Sequence, residues 1–97
     1  MELTIDRQLR LLKCVADETR LQILLTLKGG ERCVCEIFRE LGKEQSLISH
    51  HLKSLRKCGI VKCRREGKKI MYRLADPSVL ELLTKVEELA GTFCQAS

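Results

Sequence analysis

Apolar residues recur at helical spacing in five stretches of the chain and at strand-like spacing in two. The first helical stretch, residues 3–15, carries an apolar stripe that includes Leu9 and Leu12, and it predicts an amphipathic helix. A denser apolar set follows Asp17, a good N-cap residue, and predicts a mostly buried second helix through Leu27. Gly29 and Gly30 predict its end.

Two further helices are predicted close together in the middle of the chain. One runs from about Val34 to Leu41 and ends at Gly42, and the next runs from about Gln45 to Lys57. Because the link between them is very short, residues 34–58 form a candidate helix-turn-helix.

The period of the pattern changes after Gly59. Residues 60–66 and 69–75 are rich in β-branched, apolar and aromatic side chains and meet at Gly67, which predicts a two-stranded hairpin. Asp76 and Pro77 then open a last helix, residues 77–94, whose apolar stripe suits packing against another helix. The predicted fold is therefore mainly α, with about five helices and a two-stranded wing. It is a winged helix-turn-helix in a single domain, residues 1–97.

Composition narrows the function. The chain has 97 residues, a formal net charge of +5 and a pI of about 9.0, which favours a polyanionic partner. No apolar run approaches the roughly 20 residues of a membrane span, and the N-terminus does not resemble a signal peptide, so we expect a cytoplasmic protein without a membrane partner. No acid–base pair, nucleophile triad or phosphate loop occurs at usable spacing, so we expect no enzyme.

Two predicted elements carry polar and cationic side chains that suit double-stranded DNA. Residues near the start of a recognition helix reach base edges, whereas later cations and a basic wing reach phosphates or the minor groove. A charged helix face is most often merely solvated, but here two adjacent elements are basic together, which favours DNA. His51 is expected to pack in the core, and Tyr72 in the sheet. The candidate DNA-binding residues are Gln45, Ser46, Ser49, His50, Lys53 and Arg56 on the helix, and Arg64, Arg65, Lys68 and Lys69 on the wing.

Four segments of the chain, in the same order, resemble the ArsR/SmtB family of winged-helix repressors. They are LLKCVADETRLQILLTL, CVCEIFREL, QSLISHHLKSLRKCGIV and RREGKKIMYRL. The resemblance implies a metal- or metalloid-responsive repressor that forms a homodimer through its first and last helices. A twofold dimer would place two recognition helices about 34 Å apart on an inverted-repeat operator. The family commonly has Ser where this chain has Glu44, so the fourth helix begins either at Gln45 or after a Ser46 cap.

The resemblance also assigns chemistry to Cys33 and Cys35. They match the CVC motif with which relatives sense arsenic(III), antimony(III), cadmium or lead, and thiolates are the ligands that such soft ions prefer. Within a helix the two side chains would point about 200° apart, so they converge only if Cys33 precedes the helix. Arsenite, cadmium, lead and zinc are the candidate inducers.

Two cysteines leave the ligand set incomplete. Phe38 stands where arsenic sensors of the family often have a third cysteine, so Cys94 is the first candidate for that ligand and Cys14 the second. Cys14 and Cys58 are otherwise expected to be buried, inert thiols. The family's zinc site on the last helix is expected to be absent, because residues 76–97 contain no His.

Two alternatives remain open. In the first, the same repressor senses oxidants or persulfides through its cysteines, with Cys35 and Cys94 as the partners. In the second, the winged helix is a protein-interaction module without an inducer.

Overall fold

A computed structural model of the protein describes residues 2–94. Residues 1 and 95–97, which the predicted domain includes, lie outside the described residues, as do the side chains of Glu2 and Leu3. The elements follow the order α1 (Glu2–Val15), α2 (Glu18–Thr26), a 3-10 turn (Leu27–Gly29), β1 (Arg32–Cys33), α3 (Val34–Leu41), α4 (Gln45–Lys57), β2 (Val61–Glu66), β3 (Lys69–Leu74) and α5 (Pro77–Phe93). This architecture confirms the predicted winged helix-turn-helix.

Local side-chain chemistry explains where several helices begin and end. The Asp17 carboxylate accepts a hydrogen bond of 3.0 Å from the Arg20 backbone N–H and caps α2. Asp76 caps α5 in the same way, with Pro77 in the first turn. Gly42 ends α3 in the left-handed conformation, with φ of 64°, where a side chain would be strained. The short link from Gly42 to α4 therefore fixes the helix-turn-helix.

The strands β2 and β3 form the predicted two-stranded wing, and β1, which the sequence did not predict, adds a third antiparallel strand in the order β1-β3-β2. The added strand, β1, pairs Arg32 with Tyr72 and Cys33 with Met71. A two-residue strand shows no alternation in the sequence, because it exists only through its partner β3. Through β1 the segment before α3 joins the wing.

The core fixes the orientation of α4. Ile48, Leu52 and Leu55 are fully buried, and their spacing places them on one face of the helix. They pack within a cluster that includes Ile23 of α2 and Ile37 of α3. The opposite face of α4 therefore stays exposed.

Two helices keep apolar side chains in solvent. On α1 the exposed fractions of Ile5 and Leu12 are 52% and 56%, and on α5 that of Phe93 is 76%. Leu9, Val86 and Leu89 are exposed as well. None of the helices described is both long and apolar enough to cross a lipid bilayer. The exposed residues form faces that a single copy of the chain leaves uncovered.

Candidate nucleic-acid interface and thiol site

The outer face of α4 presents the polar side chains predicted to contact DNA. The helix begins at Gln45, so of the two starts left open the structure has the earlier one, with Glu44 at the N-cap position and no side-chain capping bond. Ser49 is half-buried. The remaining candidates on this helix are exposed: Gln45, Ser46, His50, Lys53 and Arg56.

Of the four candidate cations on the wing, one forms ion pairs and three do not. Arg64 donates to both carboxylate oxygens of Glu31, at 2.8 and 2.6 Å, and approaches Glu66 at 3.4 Å. The hydrogen bonds from Arg64 lower the pKa of the Glu31 carboxyl group. Among residues 2–94, no ion pair involves the other three candidates, Arg65, Lys68 and Lys69, which are exposed.

Arg56 lies between α4 and the wing. Its Nη1 donates to Sγ of Cys63 on β2 at 3.4 Å, and Cys63 stands opposite Tyr72 of β3. Burial raises the pKa of the Tyr72 hydroxyl group, as expected for the packed sheet residue that the sequence predicts. Arg56 thus links the end of the recognition helix to the wing.

His51 faces inward from α4 and is half-buried. Its Nδ1 accepts a hydrogen bond of 3.1 Å from Arg20 Nε, and the Asp17 carboxylate lies 3.9 Å from the same nitrogen. Loss of solvent lowers the pKa of the imidazole, while the carboxylate of Asp17 opposes that change. His51 therefore belongs to a network that holds α4 against α2.

Cys33 is both the last residue of β1 and the N-cap of α3. Its Sγ accepts a hydrogen bond from the Cys35 N–H at 3.2 Å, and its own N–H donates to the Glu36 carboxylate at 3.0 Å. The extended backbone at Cys33 turns the two sulfur atoms toward each other, and they lie within bonding distance as a disulfide. The structure thus has the arrangement in which the two side chains converge.

The paired sulfurs share a cleft with predicted DNA contacts. A cavity of about 320 Å³ lies between the start of α3, the start of α4 and the wing. Cys33 and Cys35 line one part of it. Gln45, Ser49, Lys68 and Lys69 line the rest, together with Val34 and Ile70.

Known proteins are similar to this chain in sequence and in architecture. The model of a family described as bacterial regulatory protein, arsR family, matches residues 17–62. An uncharacterised helix-turn-helix transcriptional regulator of Methanocaldococcus jannaschii is 45% identical over 85 residues, which cover 87% of this chain and 96% of the relative. The chain belongs to the ArsR family.

Two further matches describe the family's members. A probable mercury resistance operon repressor of Streptomyces lividans is 39% identical over 86 residues, covering 89% of this chain and 69% of the repressor. The solution structure of a homodimeric winged helix-turn-helix DNA-binding domain from Mycobacterium bovis superposes with a TM-score of 0.86 and 36% identity, covering 93% of this chain and 83% of that one. This ArsR-family chain is a DNA-binding transcriptional regulator and not an enzyme.

The remaining cysteines of this ArsR-family chain do not complete a metal site within one protomer. No group of three or more His, Cys, Asp or Glu residues converges in the part of the chain that the structure describes. Cys14, the second candidate for a third ligand, instead forms a disulfide with Cys58. Cys94, the first candidate, is exposed at the end of α5, and Cys63 is half-buried on β2.

The expectation that Cys14 and Cys58 are both buried, inert thiols is wrong. Cys14 is buried, with an exposed fraction of 3%, but Cys58 is exposed and bonded to it. The sequence separation of 44 positions leaves this pairing without a local signal in the sequence. The only trace of the pairing in the sequence is that both cysteines lie at or next to the ends of predicted helices.

Proposed function

We propose that this protein is a cytoplasmic, homodimeric repressor that binds an inverted-repeat operator and releases it when a thiophilic metal or metalloid binds Cys33 and Cys35. The observation that carries the proposal is the shared cleft. The sulfur atoms line the same cavity as Gln45 and Ser49 of α4 and Lys68 of the wing. A ligand held by the sulfurs therefore acts directly beside the groups that contact DNA.

Two exposed elements, α4 and the wing, would contact DNA in the proposed complex. The first turns of α4 enter the major groove, where Gln45 can pair with adenine and where Ser49 and His50 reach a base or a phosphate. Lys53 and Arg56 lie further along the helix and contact phosphates. The unpaired wing cations contact the backbone or the minor groove beside it.

The dimer uses the apolar faces of α1 and α5. Their exposed side chains, among them Leu12 and Phe93, need a partner to leave water. The Mycobacterium bovis domain, which superposes over most of this chain, is homodimeric. A twofold dimer built on these helices matches an inverted repeat.

The position of Cys33 explains how ligand binding weakens the DNA grip. Its backbone pairs with Met71 of the wing strand β3, and its side chain caps α3 of the helix-turn-helix. Two residues earlier, Glu31 holds Arg64 of the wing. A change in sulfur geometry therefore displaces the cap, the short strand β1 and the wing together.

The donor set selects the inducer by softness. Thiolates suit soft ions such as arsenite, cadmium and lead, but arsenite takes three ligands and cadmium or zinc usually four, so two sulfurs leave each ligand set incomplete. Since one protomer offers two sulfurs, Cys94 of the second protomer supplies the third ligand in the proposed dimer. Cys14 is not available while it is bonded to Cys58.

Fluorescence anisotropy of a labelled operator duplex tests the proposal. Reduced protein should bind with a steep salt dependence and should release DNA on titration with arsenite, cadmium or lead. The double variant Cys33→Ser, Cys35→Ser should bind the duplex and ignore these ions, because serine is itself a good N-cap. Cys63→Ser is the matched control and should respond as the natural protein does. Release from the double variant by the same ions would refute the assignment.

A redox sensor of the same fold is the second candidate function. It is favoured by the bonding distance between the Cys33 and Cys35 sulfurs, and Cys94 offers Cys35 an alternative partner. Peroxide or a persulfide should then release the operator without any metal, and a reductant should restore binding. If metal-free oxidation leaves DNA binding unchanged, this second function is excluded.

A further inference from the structure

A second pair of cysteines, Cys14 and Cys58, joins α1, a proposed dimerisation helix, to α4, the proposed DNA-recognition helix. Cys14 lies near the end of α1, and Cys58 is the C-cap of α4, with their Cα atoms 6.7 Å apart. This separation is within the range that a disulfide can bridge. Cys14 is buried and Cys58 is exposed, so only one of the two sulfurs can be reached first from solvent.

Cys58 lines two cavities, one bordered by arginines and the other by mostly apolar residues and Asp76. Arg7, Arg10 and Leu11 of α1 line a cavity of about 180 Å³ together with Cys58. Both arginines are exposed, and neither makes an ion pair within residues 2–94. An anion that enters this cavity therefore meets two positive charges beside a sulfur atom.

The cavity lies on the side of α1 that faces away from its apolar stripe. At 100° per residue, Arg7, Leu11 and Cys14 fall within about 60° of one another. Ile5, Leu9 and Leu12 lie roughly opposite, about 140–160° from Arg7. A partner that covers the apolar stripe thus leaves the cavity beside Cys58 open.

Hydrogen bonds fix the position of the buried sulfur's residue. Arg20 Nη1 donates to the Cys14 carbonyl oxygen at 3.3 Å, and Arg20 Nε donates to His51 of α4. Cys14 is therefore held against α4 by the backbone as well as by its side chain. This arrangement is that of a resolving thiol next to an accessible attacking thiol.

We propose that Cys14 and Cys58 form a thiol–disulfide exchange site for anionic low-molecular-weight disulfides, separate from Cys33 and Cys35. In the reduced protein the Cys58 thiolate attacks one sulfur of the bound disulfide and releases the other half as a thiolate. Cys14 then gives up its proton and attacks Cys58 Sγ, which releases the second half. The protein loses two hydrogens to form one disulfide, and the small disulfide is reduced to two thiols.

The experiment isolates this pair in the full-length chain. The variant with Cys33, Cys35, Cys63 and Cys94 replaced by Ser retains only Cys14 and Cys58. Its reduced form is mixed with oxidised glutathione, with cationic cystamine or with neutral hydroxyethyl disulfide, and intact mass and thiol titration follow the reaction. Peptide mapping of the oxidised natural protein for a Cys14–Cys58 link repeats the measurement without the four substitutions.

We expect loss of both thiols with oxidised glutathione, with no lasting glutathione adduct. Oxidised glutathione should react about tenfold faster than cystamine at low salt, with neutral hydroxyethyl disulfide between them, and this preference should shrink at high salt. Arg7→Ala with Arg10→Ala should remove most of this preference, whereas Arg39→Ala on the exposed face of α3 should not.

Three results would overturn the proposal. A persistent glutathione adduct on Cys58 would show that Cys14 does not resolve it. A ratio of the anionic to the cationic rate that does not change between low and high salt would refute the selection by charge. Absence of a Cys14–Cys58 link in the natural protein, under conditions that link Cys33 to Cys35, would refute the site itself. None of these results bears on operator release through Cys33 and Cys35, so the two proposals fail separately.

Discussion

Substitution of Cys33 by Ser or by Ala distinguishes its structural role as the N-cap of α3 from its chemical role as a thiol. Both substitutions remove the sulfur atom, but only serine can accept the hydrogen bond that Cys33 Sγ accepts from the Cys35 N–H. The Glu36 carboxylate still accepts the N–H of residue 33 in either variant. The difference in stability between the two variants therefore combines the cap of α3 with the void that alanine leaves.

The structure sets the size of this difference. Loss of an N-cap acceptor costs about 1 kcal/mol, with the lower half of the usual range expected here because sulfur is a weak acceptor. Cys33 is 4% exposed, so alanine also leaves a small void, at a cost of about 1 kcal/mol. We expect Cys33→Ala to lower the free energy of unfolding by about 1–2 kcal/mol and Cys33→Ser by less than about 1 kcal/mol.

Urea unfolding in the presence of a reductant gives both values, since the reductant removes any contribution from the Cys33–Cys35 disulfide. Protein concentration must be equal throughout, because a dimer's apparent stability depends on it. In thermal unfolding, the alanine variant should melt several degrees lower, as about 4–8 °C per kcal/mol is typical of a domain near this size. Equal stability of the two variants would refute the capping argument.

Three further predictions test other contacts. Burial lowers the pKa of His51 below its ordinary 6.5, so the unfolded chain binds a proton more readily than the folded chain. The free energy of unfolding should therefore be undiminished above about pH 6.5 and should fall as the pH drops below that value. In urea denaturation at a series of pH values, His51→Gln should reduce this fall. Glu31→Gln frees Arg64 for a phosphate, so duplex binding should tighten at low salt and the log–log salt slope should steepen by about 0.9 per protomer. Leu89→Glu with Phe93→Glu places charge on the uncovered face of α5, so sedimentation should show monomers; a dimer that persists at micromolar concentration would exclude this face.

The sequence predicts the parts of the fold that depend on local pattern. The sequence predicts Leu47, Ile48, Leu52 and Leu55 on the buried face of α4. The structure buries the last three, but Leu47 is 41% exposed, so that part of the prediction is wrong. Asp17 and Asp76 are helix caps whose chemistry involves residues only two or three positions away. Such features are legible because the interacting groups are neighbours in the chain.

The features that the sequence does not predict depend on distant partners. The strand β1 exists because Cys33 meets Met71, and Arg64 is neutralised because it meets Glu31, which is 33 residues away. Cys58 is bonded to Cys14 across 44 residues. Each of these contacts changes how a candidate site residue is interpreted, and none leaves a periodic trace in the sequence.

The weak pairing of β1 supports the proposed sensing mechanism. This strand makes two residue pairs with β3, whereas β2 makes six, so a force applied at Cys33 separates β1 before it disturbs the hairpin. A backbone hydrogen bond contributes only about 1 kcal/mol net. Metal–thiolate bonds contribute far more, since structural zinc sites bind with about 10–16 kcal/mol. In the proposed repressor, binding at Cys33 can therefore detach β1 and move the Glu31–Arg64 contact while the two-stranded wing stays intact, so the DNA-contacting surface changes its position without unfolding.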